Sequence, residues 1–220
     1  MKRLLSLLIT GSVLCSGTAF AADTSFSAKE FTDVPKTSAM FESIDFLRTH
    51  NVLKGYLDGT FKPNTRINRA EFVQLAVDPF MIDTNDQTKC ITTNFPETEV
   101  KIYFSDVARD AWYAMNVCFA KNRKIINGYP DGTFRPGATI NFVEAAKILA
   151  NVFSFDIKDT DTSEFWYRPY VQRLSELHAI PTSIKRFDQT ITRAEMAEML
   201  FRLKQNRTDK ASTSFSAIAQ

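Results

Sequence analysis

Histidine, tryptophan, cysteine and glycine are scarce in this 220-residue chain, with counts of two, two, three and seven. Two histidines give no basis for an imidazole-dependent nucleophile or a histidine metal site. No Gly-x-Ser-x-Gly, His-Glu-x-x-His or phosphate-binding loop occurs either. His50 and His178 both fall near the end of an expected helix, where they read as terminal caps. The pair Asp159 and Asp161 reads as a solvated linker rather than a catalytic carboxylate pair. Nothing points to an enzyme, and no cofactor or metal is implied.

Long apolar runs are equally rare. Residues 1–21 carry Lys2 and Arg3, an apolar stretch from Leu4 to Leu14, and a small-residue end at Ala19-Phe20-Ala21. This fits a secretory signal cleaved before Ala22. Leu14 is bulky where a lipidation signal at Cys15 would want a small residue. No later run approaches the roughly 18 to 20 apolar residues that span a bilayer, so no transmembrane segment is expected after cleavage. Net charge is absent too. The chain has 27 Lys+Arg against 25 Asp+Glu, and the excess is the leader's Lys2 and Arg3. A neutral mature chain gives no argument for nucleic acid.

Cleavage leaves Cys90 and Cys118, and an exported pair favours a disulfide. Cys118 aligns with Asp45 and Gln172 in the repeats described next, a helix face that is polar elsewhere and reachable from outside. The expected bridge pins residues 81–102, an insertion, onto a helix; the other reading is two free or buried thiols.

What the chain does have is repetition. Gly55-Tyr56-Leu57-Asp58-Gly59-Thr60-Phe61 returns 73 residues later as Gly128-Tyr129-Pro130-Asp131-Gly132-Thr133-Phe134. Phe31-Thr32-Asp33-Val34 and Asn68-x-x-Glu71 recur at the same offset, as Phe104-Ser105-Asp106-Val107 and Asn141-x-x-Glu144. Three motifs in one register establish repeat architecture. A third, shorter copy aligns Trp166-Tyr167 with Trp112-Tyr113 and Thr192-x-x-Glu195 with Asn141-x-x-Glu144, and lacks the glycine turn.

Each copy reads as helix, loop, helix. Phe41, Ile44 and Leu47 align with Ala114, Val117 and Ala120 on one face of the first helix. Phe72, Leu75 and Ala76 align with Ala145, Ile148 and Leu149 and with Met196, Met199 and Leu200, the amphipathic spacing of the second. Asp58-Gly59 and Asp131-Gly132 supply a structural turn, since glycine tolerates positive φ and aspartate bonds its own backbone. A calcium loop would need further carboxylates that are absent. Asn68, Asn141 and Thr192, with Glu71, Glu144 and Glu195, form capping boxes, each stabilising a helix start by about 0.5–2 kcal/mol.

The capping box does not account for Arg69 and Arg193. Both sit at the first helical position, where the macrodipole disfavours a cation. A helix N-terminus offers free N–H groups to an anion, and an adjacent guanidinium adds a bidentate clamp for a carboxylate. The alternative is a surface arginine bridged to a nearby acid.

Together the Phe-x-Asp-Val, tryptophan, Gly-Tyr-x-Asp-Gly-Thr-Phe and Thr-Arg-Ala-Glu motifs resemble the S-layer homology domain family over residues 31–203. The resemblance implies an all-α fold of three tandem helix–loop–helix repeats around a pseudo-threefold axis, a three-pronged spindle. Its parts are a signal at 1–21, an N-terminal tail at 22–30, and repeats at 31–80, 103–153 and 154–203. The insertion takes 81–102 and a disordered tail 204–220.

The resemblance further implies a secreted protein of the cell wall or surface layer that binds cell-wall polysaccharide non-covalently. The expected ligand is a pyruvylated secondary wall polymer whose carboxylate meets the motif arginine in grooves between copies. Arg69 and Arg193 match that arginine. Trp112 and Trp166 match the family aromatic, stacking on sugar or half-buried in the core. Gly55 and Gly128 match the loop glycine, and Glu71 and Glu195 the motif glutamate. Phe142 replaces the arginine in copy two, so one or two competent pockets are expected rather than three. The competing reading is a surface-layer structural or protein-interaction module, with other surface-layer proteins as partners and decayed glycan pockets.

Overall fold

The computed structural model describes residues 29–80, 84–157 and 165–219. The expected signal and the Asp159/Asp161 linker lie outside these residues. The fold is all-α, with helices α1 Phe41–Thr49, α2 Arg69–Val77, α3 Thr84–Asn94, α4 Ala114–Asn122, α5 Phe142–Val152, α6 Arg168–Glu176 and α7 Arg193–Gln205. Helices α1 and α2 form unit one, α4 and α5 unit two, α6 and α7 unit three. Helix α3 belongs to the insertion. Among the described residues, no helix is long and apolar enough to cross a membrane.

Each prong joins two units. Helix α2 packs on α4, α5 on α6, and α7 returns to α1. The apolar stripes legible in the sequence supply these contacts: Ile44, Leu47, Phe72, Ala76, Val117, Ala120, Ala145, Leu149, Met196 and Met199 are all buried.

At the axis the three units are tied by backbone. The Ile67 N–H donates to the Ile191 carbonyl at 3.1 Å, Ile191 to Ile140 at 3.1 Å, and Ile140 back to Ile67 at 3.2 Å. All three isoleucines are buried. Every member of this ring immediately precedes a cap residue, so the three second helices start side by side around the axis.

The capping boxes are all present: Asn68, Asn141 and Thr192 each accept from the backbone N–H of the glutamate three residues on, whose carboxylate returns to the cap N–H. The other first-turn donors reach across to the next unit's loop. Arg69 and Ala70 donate to the carbonyls of Ala138 and Pro136, Phe142 and Val143 to Gln189 and Phe187, Arg193 and Ala194 to Thr65 and Pro63. This corrects the expectation of free N–H groups at these helix starts. Each helix N-terminus is closed by backbone, each bond worth about 0.5–1.5 kcal/mol.

The glycine loop is held the same way in units one and two. Both carboxylate oxygens of Asp33 accept, from the N–H groups of Phe61 and Lys62, and Asp106 does the same for Phe134 and Arg135. Gly128 has φ +80°, and a Cβ there would lie 2.2 Å from the Phe104 ring; a Cβ on Gly55 would lie 2.3 Å from Phe31. The conserved spacing of Phe-x-Asp-Val and the loop therefore encodes one packed unit: the ring needs the missing side chain and the aspartate grips the backbone. Asp131 sits at about 2, chiefly because the Thr133 hydroxyl and then Arg135 donate to it; the Thr60 hydroxyl lowers Asp58 likewise. These carboxylates serve the turn. No metal-binding cluster of acids, histidines or cysteines occurs among the described residues.

Two expectations change. Cys90 and Cys118 are bridged, with Cα atoms 6.1 Å apart, but Cys118 is fully buried rather than reachable, because α3 packs over that face of α4. The C-terminal segment expected as a disordered tail is folded. Residues 204 and 205 end α7, and the chain then turns at Asn206 in the left-handed conformation. It returns along unit three, where Thr213 donates to Ile180 and Ala219 pairs with Lys185 and Phe187. Thr213 and Ile218 are buried.

Candidate functional site

The pseudo-threefold arrangement makes three grooves, each bounded by one unit's loop and second helix, the preceding unit's helix start and the following unit's tryptophan position. Two are open. Groove one, of about 520 Å³, is lined by Asn127, Gly128, Tyr129, Glu144, Lys147 and Ile148 of unit two, Arg69 of unit one, and Trp166 and Tyr167 of unit three. Groove two, of about 250 Å³, repeats the set one unit back: Lys54, Gly55, Tyr56, Glu71, Gln74, Leu75 and Asp78 of unit one, Arg193 of unit three and Trp112 of unit two. The sequence-nominated arginines, tryptophans and glycines thus meet in two sets of three, one of each per groove.

The two arginines differ. Neither is a surface side chain; Arg69 is 6% and Arg193 4% exposed. Arg193 is engaged by backbone: its Nε donates to the Phe61 carbonyl at 2.8 Å and an Nη to the Lys54 carbonyl at 3.4 Å. Its guanidinium carbon lies 4.9 Å from the Tyr56 ring centroid. Arg69 has a looser setting. Its Nε is buried without a hydrogen-bond partner, and its Nη1 reaches Glu144 only at 3.9 Å. Aromatic rings support it, Tyr129 at 5.0 Å and Phe134 at 5.2 Å. A buried donor left unsatisfied costs about 1–3 kcal/mol, so groove one holds a guanidinium suited to an incoming acceptor.

The rest of groove one is a mixed wall. The Tyr129 hydroxyl donates to Glu144 at 2.5 Å. Burial, then that hydrogen bond, pushes the phenol above its usual value, so it remains a donor at neutral pH. The Lys147 ammonium lies 5.2 Å from the Trp166 ring centroid and 4.9 Å from that of Tyr170. Trp112 is 58% exposed at the rim of groove two, whereas Trp166 lines groove one while half-buried against the core.

Other nominated residues are placed elsewhere. Glu71 and Glu144 combine capping with groove lining. Glu195 borders neither open groove. Its carboxylate caps Thr192 and accepts from Gln189 at 3.2 Å. Phe142, at the arginine position of unit two, is fully buried.

The third groove is filled by the chain itself. Ile180 and Pro181 align with Ile126 and Asn127 of groove one; here the Thr213 N–H and the Ser212 hydroxyl bond Ile180, and the Thr213 hydroxyl bonds Pro181. Lys210 reaches Glu198 at 3.1 Å and Glu42 of α1 at 3.1 Å. Arg202 donates to the carbonyls of His178 and Ala211. Sequence reasoning passed over Lys147, Gln74 and Lys54, although the first two fall three residues after a capping glutamate and so share its helix face.

Curated proteins similar to this chain include the "Surface layer protein" of Brevibacillus choshinensis, 26% identical over 172 residues that cover 77% of this chain and 14% of that protein. The "Middle cell wall protein" of Brevibacillus brevis is 26% identical over 87% of this chain and 17% of its own length. The "Cellulosome-anchoring protein" of Acetivibrio thermocellus is 26% identical over 77% of this chain and 38% of its own. The chain therefore spans less than two fifths of each. Residues 30–73 and 103–146, which carry the loops, capping boxes and second-helix starts of units one and two, both match the S-layer homology domain.

Proposed function

We propose that this chain is a secreted, non-catalytic anchoring module that holds cell-wall polysaccharide in its inter-unit grooves, groove one receiving an acidic substituent such as a ketal-linked pyruvate. The observation that carries this reading is the buried Arg69 guanidinium with an unpartnered Nε in a 520 Å³ groove. A carboxylate answers it in charge and geometry, and Trp166 and Tyr129 offer faces for the sugar. The similarity to surface-layer and cell-wall proteins indicates a secreted, cell-wall or surface-layer-associated location. Helix starts contribute no N–H groups to the ligand, so recognition rests on side chains.

The test is co-sedimentation of the full chain with isolated walls before and after chemical removal of pyruvate ketals. Retention on untreated walls with loss from treated ones is expected. Equal retention on both would overturn the carboxylate mechanism.

A further inference from the structure

Groove one does not end at Tyr167. The same side chain lines a second, smaller cavity of about 170 Å³, together with Arg168, Phe187, Phe215, Ser216 and Ile218. Three of these six residues belong to the segment that returns after α7, so half of the lining comes from a part of the chain outside the three helix pairs. Tyr167 and Arg168 stand at the start of α6, directly after Trp166 of groove one.

Backbone bonds and ring contacts fix the walls of this cavity. The Phe215 N–H donates to the Ser175 hydroxyl of α6 at 2.9 Å, and the Phe187 N–H donates to the Ala219 carbonyl at 3.2 Å. The Phe187 ring packs against two others, its centroid 4.9 Å from that of Tyr167 and 5.6 Å from that of Phe215. Phe187 and Ile218 are buried, but Tyr167 and Phe215 are only half-buried, so aromatic surface stays open to solvent. Polar groups border it. Arg168 and Ser216 are exposed. Among the described residues Arg168 forms no ion pair, its guanidinium carbon lying 4.2 Å from the Phe165 ring centroid, and the Tyr167 hydroxyl has no hydrogen-bond partner.

We propose that this cavity is a second sugar subsite, which holds the residue next along the polysaccharide chain to the one seated in groove one. Continuity names the occupant, because a chain leaving groove one over Tyr167 enters the cavity directly. The chemistry suits a pyranose: its apolar C–H face lies on the open rings, and its hydroxyls meet the guanidinium, the phenol and the serine hydroxyl at the edge. This rests on the reading that groove one holds wall polysaccharide. It adds that the module reads more than one residue of the chain, through a wall that its C-terminal segment supplies.

The test is calorimetric titration of the full chain with wall-polymer fragments, released from isolated walls and fractionated by length. Relative to the shortest fragment that binds, fragments longer by a few residues should bind about three- to tenfold more tightly, the worth of roughly one net hydrogen bond. Ser216→Trp fills the cavity from an exposed position and should return the long fragments to the affinity of the shortest. Arg168→Ala should lower the length effect by removing the guanidinium. Both variants should keep the parent's Tm and its affinity for the shortest fragment. Equal affinity of the parent for long and short fragments, or a length effect that survives Ser216→Trp, overturns the subsite while leaving groove one's role standing. Self-association of the parent that Ser216→Trp abolishes, with no length effect, overturns it in favour of a second copy of the chain as occupant. Failure of the parent to bind any fragment refutes the polysaccharide reading and the subsite with it.

Discussion

Replacing Arg69 with methionine should separate binding from folding. Methionine keeps the length and apolar stem of the side chain and removes the guanidinium. The folded state then loses the contacts with the Tyr129 and Phe134 rings, worth about 0.5–2 kcal/mol together with a long ion pair to Glu144. It also loses a buried Nε without a partner, a penalty of about 1–3 kcal/mol. These offset, so stability should change by no more than about 1 kcal/mol, or roughly 2–4 °C in Tm for a chain of this size. Binding should fall by about 10- to 150-fold, the equivalent of a charge-assisted contact of about 1.5–3 kcal/mol. Thermal melts followed by circular dichroism measure the first quantity, and titration with a pyruvate-ketal glycoside the second. A variant that melts as the parent does and binds with undiminished affinity refutes the role given to Arg69. A Tm lower by 10 °C or more would instead mark it as a structural arginine.

The opposite outcome is expected for Arg193→Met. Its Nε bond to Phe61 ties unit three to unit one, so its loss should cost about 1.5–3 kcal/mol and lower Tm by roughly 3–12 °C, read by the same melts. Reducing the Cys90–Cys118 bridge, which spans 28 residues, should cost about 2–4 kcal/mol in denaturant unfolding, with the ring of isoleucine bonds intact by hydrogen exchange. Gly128→Ala and Gly132→Ala share a positive φ, but only the former drives a Cβ into Phe104. The Gly132 variant should lose about 1–2 kcal/mol from backbone strain alone and the Gly128 variant clearly more; equal losses in chemical denaturation would refute the packing account of the loop.

Local periodicity made the helices legible. The stripes at Phe72, Leu75 and Ala76 and their equivalents, and the three Asn/Thr-x-x-Glu boxes, are encoded within one turn of helix and are found where the sequence places them. The groove linings were legible at the arginines and tryptophans, because an arginine at a helix start conflicts with the macrodipole and so draws attention to its surroundings. What could not be read was the traffic between units. Whether Arg193 is engaged by the Phe61 carbonyl, or Arg69 is not, depends on backbone more than 130 residues away for the one and on a neighbouring unit's loop for the other. The first-turn N–H groups, which look free in any one helix, are satisfied by Ala138, Gln189 and Thr65 only once the ring has closed.

The C-terminal segment shows why composition misled. Lys210, Ser212 and Thr213 read as solvent-facing because polar side chains alone cannot build a core. Here each has a partner supplied by unit three: Glu198 for the ammonium, and the carbonyls of Ile180 and Pro181 for the hydroxyls. Unit three has no glycine turn with its tyrosine, and unit two offers Phe142 where the other helix starts offer a guanidinium. The third groove therefore lacks both the aromatic wall and the cation that make grooves one and two. A buried Glu198 is costly unless paired; Arg202 of its own helix answers it at 2.7 Å, and the returning segment adds the Lys210 ammonium at 3.1 Å. The groove that lacks the tyrosine and the helix-start arginine is thus the groove that the polar segment fills. The helix position that holds Glu198 there holds Lys147 and Gln74 on the walls of the two open grooves.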